Sequence, residues 1–119
     1  MKLMIVDDSS TMRKIVLMAL KSFQAETVEA ENGQEALEKL SSGKVDLFIV
    51  DVNMPVMNGI DLVKNLRAKP DYSRTPILML TTESDTAMIE QGKAAGANEW
   101  IVKPFKNEEF VSTLHKLGL

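Results

Sequence analysis

The sequence predicts an α/β fold in which five strands, each followed by a helix, form one doubly wound parallel sheet with helices on both faces. Three observations predict it. Five short apolar runs recur along the 119 residues, helical i, i+3, i+4 patterns lie between them, and Gly, Pro, Ser or Asn punctuates the junctions. Strands and helices that alternate through short connections require right-handed crossovers, and these give a parallel sheet.

The first run, Leu3 to Val6, is apolar throughout, as suits a parallel strand covered on both faces. Asp8-Ser9-Ser10-Thr11 then offers several helix N-caps. The helix that follows has the clearest pattern, with Met12, Ile15, Val16, Ala19, Leu20 and Phe23 on one face. Glu26 to Ala30 is a weaker strand, placed nearer an edge. Ala36, Leu37 and Leu40 mark the second helix, closed by Ser41-Ser42-Gly43. Leu47 to Val50 is the third strand, and Ile60, Val63 and Leu66 mark a helix stopped by Pro70. Ile77 to Leu80 precedes a fourth helix on Met88, Gly92 and Ala95, ended by Gly96. Trp100 to Val102 is the last strand, and Phe110, Val111, Leu114 and Leu117 form the last helix, with Asn107 as its N-cap.

With 45% hydrophobic and 26% charged residues, the composition fits one domain over residues 1–119. A net charge of -3 argues against a nucleic-acid partner, which needs clustered Lys and Arg. The absence of cysteine excludes disulfides, thiolate ligands and cysteine nucleophiles. The apolar start, Met1 to Val6, meets Asp7-Asp8 too soon for a signal peptide or a membrane span, so no membrane partner and a cytoplasmic location are expected.

In an open parallel sheet the loops leaving the carboxyl ends of the strands line the binding crevice. Those positions here carry Asp7-Asp8, Asp51, Thr81-Thr82 and Lys103-Pro104, dozens of residues apart in sequence but able to converge on one place. If the first and third strands are neighbours, carboxylates about 4 Å apart repel by roughly 4 kcal/mol at an effective dielectric near 20. Such a cluster protonates or takes up a cation. Oxygen ligands without His or Cys favour Mg²⁺, which commonly bridges carboxylates to phosphate oxygens. Lys103 would then face the phosphoryl oxygens, with the Thr81 hydroxyl as a donor. Singly, each feature has a plainer reading: Asp-Asp as a turn and cap, Thr81 as the end of a strand, Lys103 as a surface residue. Asp51 between Val50 and Val52 is harder to dismiss, because a carboxylate at the end of a buried strand is costly without a partner.

Asp7-Asp8, the segment Asp51-Val52-Asn53-Met54-Pro55-Val56-Met57-Asn58-Gly59, Thr81-Thr82 and Lys103-Pro104-Phe105 together resemble the receiver domain of two-component response regulators, over the whole chain. The likeness is greatest to single-domain regulators of the CheY type. It implies a flavodoxin-like strand order 2-1-3-4-5. It further implies Asp51 as the phosphoacceptor, served by a sensor histidine kinase. Asp8 would bind Mg²⁺ directly, Asp7 mainly through water, and the Asn53 carbonyl would complete the protein ligands. Lys103 would pair with the phosphoryl group, through a cis bond to Pro104. Thr81 would be the switch hydroxyl and Trp100 the switch aromatic, while Asn53 and Glu83 would tune the lifetime of the phosphoryl group. Met54 and Met57 would lie near the kinase-docking surface.

Trp100 departs from the Tyr or Phe more frequent in the family. Its larger ring makes inward rotation harder or leaves it outward as a partner surface, with ordinary core burial as the alternative. His115 reads as a helix-end cation. The resemblance implies a monomer that is not an enzyme in the ordinary sense, although it catalyses its own phosphorylation from small donors and its own dephosphorylation. With nothing after Leu119, output is expected to pass by contact across the fourth helix, fifth strand and fifth helix, including Lys93, Trp100, Lys106 and Lys116. The expected target is a flagellar motor switch protein, with a non-chemotaxis phosphorelay or adaptor role as the alternative.

Three other functions fit less well. An aspartate-nucleophile phosphohydrolase needs a second acid two residues after the nucleophile, where this chain has Asn53. A flavin-binding module would place a phosphate against Asp7 and Asp8, which repel it. A receiver-like module that no longer takes phosphate should have lost at least one of the residues named above.

Overall fold

A computed structural model describes residues 1–82 and 86–119. The strands are β1 (Lys2–Val6), β2 (Glu26–Ala30), β3 (Leu47–Asp51), β4 (Ile77–Thr81) and β5 (Glu99–Val102). The helices are α1 (Ser10–Ala19), α2 (Gly33–Lys39), α3 (Gly59–Arg67), α4 (Thr86–Ala95) and α5 (Asn107–Lys116), with 3-10 turns at Leu40–Ser42 and Pro70–Tyr72. All strands are parallel, in the order β2-β1-β3-β4-β5, the order implied by the family resemblance. The weak strand Glu26–Ala30 is an edge strand, as its composition predicts.

Apart from Lys2, Asp51 and Thr81 at their ends, the three central strands are apolar because their two faces feed two separate cores. Met4, Val6, Phe48, Val50, Ile77 and Met79 join Ala36, Leu62, Val63 and Leu66 on the α2 and α3 side. Leu3, Ile5, Leu47, Ile49, Leu78 and Leu80 join Val16, Leu20, Phe110 and Leu114 on the α1 and α5 side. Alternation of side chains along each strand sorts them. At about 25 cal/mol per Å² of apolar surface removed from water, burial on this pattern dominates the stability of the sheet.

The register sets the site. Val6 pairs with Ala30 and with Val50, Asp51 with Leu80, and Thr81 with Val102, so the carboxyl ends of β1, β3, β4 and β5 finish at one edge. β1 connects outward to β2 and is flanked on its other side by β3, which makes the gap between β1 and β3 the point where the winding reverses.

Caps explain the helix starts. Ser9 accepts from the Met12 N–H, Asn32 from the Glu35 N–H and Asn58 from the Asp61 N–H. Two expectations need correction. Asn107 is the first residue of α5 rather than its cap. Lys106 stands at the N-cap with no side-chain hydrogen bond, and Glu108 and Glu109 offset the helix dipole in its place. Ile15 is 46% exposed, because α1 faces the sheet along Val16 and Leu20 and ends at Ala19, which leaves Ile15 at the rim of the stripe.

Candidate functional site

β1 runs directly into Asp7, β3 ends on Asp51, and both carboxylates are buried, while Asp8 is exposed. One carboxylate oxygen from each of the three lies within 4.8 Å of the others. Lys103, just past β5, donates to Asp51 Oδ1 at 3.2 Å and to Asp7 Oδ2 at 3.4 Å. The ammonium thus bridges two buried acids whose strands are neighbours. The other Asp7 oxygen accepts the Ser9 N–H at 2.9 Å, so both are occupied.

Burial, followed by the Asp7 charge, pushes the Asp51 carboxyl up to about 6, against the pull of Lys103 and with a further push from Asp8. Two of the four influences are like charges. An added cation would relieve both, and an all-carboxylate donor set suits a hard divalent ion such as Mg²⁺.

Asp51 is fixed from behind by α3. The Gly59 N–H donates to the Val52 carbonyl at 2.9 Å, and a Cβ on Gly59 would overlap the Asp51 carbonyl oxygen. The helix can start this close to the strand end only because residue 59 is glycine. Between them the loop makes a γ-turn at Val56, with the Met57 N–H on the Pro55 carbonyl at 2.7 Å and a Val56 φ of 70°. Asn53 is exposed on this loop, and Met54 and Met57 are half-buried.

Thr81 is fully buried at the end of β4, and its carbonyl accepts the Lys103 N–H at 2.6 Å. The Lys103–Pro104 peptide is cis. Glu83 lies outside the described residues. Trp100 is partly buried on β5, with its six-membered ring laid against Gly92 of α4, where a Cβ would overlap it. Its Nε1 is buried and has no hydrogen-bond partner among the described residues. Lys93 and Lys106 are exposed, and Lys116 reaches Glu99 at 3.6 Å. His115, in the last turn of α5, meets the Leu119 carbonyl at 2.9 Å and lies against the Phe23 ring.

One pair at the site escaped the sequence reading. Arg13 of α1 donates from Nη1 to the Asp7 carbonyl at 2.6 Å and from Nε to Glu29 of β2 at 2.9 Å. Nothing in its spacing reveals this, because one partner is backbone and the other lies on a different strand.

A family model for the response regulator receiver domain matches residues 3–115. The chain belongs to the receiver domain family. Chemotaxis protein CheY1 of Helicobacter pylori strain J99 is 50% identical over 107 residues, 88% of this chain and 86% of its own length. Chemotaxis protein CheY-3 of Vibrio cholerae is 43% identical over 118 residues, 98% of this chain and 91% of its own. Among solved structures, the chemotaxis response regulator CheY4 of Vibrio cholerae superposes with a TM-score of 0.90 at 44% identity, covering 98% of this chain and 97% of its own. A response regulator from Chloroflexus aurantiacus gives 0.92 at 34% identity, covering 98% and 95%. Receiver domains of this CheY-like kind are signalling proteins rather than ordinary enzymes.

Proposed function

We propose that this receiver domain accepts a phosphoryl group on Asp51 and passes the signal on by contact with another protein. The observation that carries the proposal is Lys103 bridging Asp51 and Asp7 within a three-carboxylate cluster at converging strand ends. An ionised Asp51 oxygen attacks phosphorus, the bond from phosphorus to the donor breaks, and the donor leaves with the electron pair. With a phosphohistidine donor on a sensor kinase the bond broken is P–N; with acetyl phosphate it is P–O and acetate departs.

Asp8 and Asp51 would hold Mg²⁺ through their carboxylates, Asn53 through its carbonyl, and Asp7 through water. When bound, the ion supplies charge neutralisation between the incoming phosphoryl oxygens and the acids. Lys103 gives up its bridge and turns to the phosphoryl oxygens, and Thr81 supplies a hydroxyl donor on the β4 side. The phosphoryl group adds about -1.5 to -2 charge, which creates new contacts for Lys103 and Thr81. Trp100 then answers through its contact with α4, and Asn53 and Glu83 tune how long the acyl phosphate lasts.

Chemotaxis is the setting named for the relatives, and we extend it to this chain. A histidine kinase is then the donor and a flagellar switch protein the target, met on the face that carries Lys93, Trp100, Lys106 and Lys116. The first test is intact mass after incubation with acetyl phosphate and Mg²⁺. One added phosphoryl group is expected, absent without Mg²⁺ and absent in Asp51→Asn. No adduct in the parent, together with no response to beryllofluoride, would overturn the proposal.

A further inference from the structure

Asp8 has a demanding place in this site. Its carboxylate must face those of Asp7 and Asp51, yet it is exposed, and among the described residues no hydrogen bond or ion pair reaches it. A free aspartate at the surface samples several rotamers, and each is reached from a backbone that must itself be fixed. The peptide between Asp7 and Asp8 is fixed from one direction by Arg13, whose Nη1 donates to the Asp7 carbonyl at 2.6 Å. It is fixed from the other by the Ser9 N–H on the Asp7 carboxylate at 2.9 Å.

The guanidinium is itself held. Its Nε donates to Glu29 at 2.9 Å, its side chain is only 11% exposed, and the Glu29 backbone carbonyl accepts Lys39 from α2 at 2.5 Å. One planar fork thus ties α1 and β2 to the single carbonyl that precedes Asp8. An ammonium has no such fork and does not hold two acceptors at fixed angles.

We infer that Arg13 is a positioning residue for the metal site, holding the Asp7–Asp8 peptide so that the Asp8 carboxylate is directed at a divalent cation. The inference rests on the reading of Asp7, Asp8 and Asp51 as a Mg²⁺ site. It has a direct competitor, since Arg13 is also a cation near an acidic cluster and acts on Mg²⁺ through charge alone. The two accounts differ in sign. Loss of a nearby positive charge tightens Mg²⁺ binding, whereas loss of the clamp weakens it.

The experiment titrates Mg²⁺ into the parent, R13K and R13A and follows binding by calorimetry and by the amide resonances of residues 7–9. A second measurement takes the acetyl phosphate reaction rate against Mg²⁺ concentration. Positioning predicts that both variants bind Mg²⁺ about tenfold more weakly, the size usual for groups that orient metal ligands. The half-saturating Mg²⁺ for phosphorylation should rise by the same factor, while the rate at saturating Mg²⁺ stays within about twofold of the parent's. The native amide spectrum of R13K guards against a folding defect in R13A. Unchanged or tighter binding in both variants overturns the inference. A parent that binds Mg²⁺ but takes no phosphoryl group defeats the proposed function and leaves the role of Arg13 standing. A parent that binds no Mg²⁺ removes both.

Discussion

Asp51 ends a buried strand beside a second buried carboxylate, and its proton affinity reports that position. Its carboxyl is raised from 3.8 to about 6, first by burial and then by Asp7. Between those two values the folded protein holds a proton that the unfolded chain has released, so stability falls as pH rises through that window. Asp51→Asn cannot ionise and should exceed the parent by about 1–2 kcal/mol at pH 7, with the gain vanishing near pH 4. Denaturant melts at the two pH values check this, and an equal gain at both would refute it. Without Mg²⁺ to compete for the carboxylate, the active ionised fraction likewise grows as pH rises past 6. Val56 is 82% exposed and carries a β-branched side chain at a φ of 70°. Val56→Gly should stabilise the fold by about 1 kcal/mol in thermal melts, since glycine alone takes up the positive φ of this turn without a Cβ clash. Asp7, Asp51, Thr81 and Lys103 were legible in the sequence because a polar residue ending an apolar strand stands out. Arg13 was not, because a bond to a backbone carbonyl leaves no trace in the pattern of residue types.

α3 and α4 are placed by glycines, in two different senses. Gly59 lets α3 start against the Asp51 carbonyl, so Gly59→Ala must displace either the helix or the loop after Asp51. A loss of about 2–4 kcal/mol is expected, against about 1 kcal/mol for Asn58→Ala, which removes only the cap bond to Asp61. Equal losses in thermal melts would show that the loop yields at no cost. At Gly92 the obstacle is a side chain, the Trp100 ring, which can swing aside. Strands and helix centres were readable from hydrophobic period alone. Helix ends were less so: Asn107 has the composition of a cap without its geometry, whereas Asn32 and Asn58 are true caps but each precedes a glycine, and Asn-Gly reads equally well as a turn.

Asp7 and Asp8 after β1 meet Asp51 of β3 because the sheet reverses its winding between those strands, and no spacing in the chain encodes that reversal. Alternation of elements predicted a parallel sheet, but the neighbours of each strand came from the family resemblance. What the topology concentrates is negative charge: three carboxylates against one lysine. Magnesium should therefore stabilise the entire fold, by about 2.7 kcal/mol at a hundred times its dissociation constant. Asp8→Asn should lose most of that increment while its metal-free melting temperature changes little, since Asp8 is exposed. On the proposed partner face, charge reversal at Lys106 and Lys116 should weaken partner binding and leave acetyl phosphate chemistry intact. Unchanged binding to every candidate target would remove that face from consideration.

Trp100 is the only tryptophan in the chain, and its indole rests on the α4 backbone at Gly92 with its N–H buried and unpartnered. The protein therefore carries a native optical probe at the joint between β5 and α4, within the proposed output face. No label is needed to watch the joint move. A water or backbone acceptor reaching the indole N–H would shift the emission to longer wavelength, and a stopped-flow trace at one excitation wavelength would time the switch.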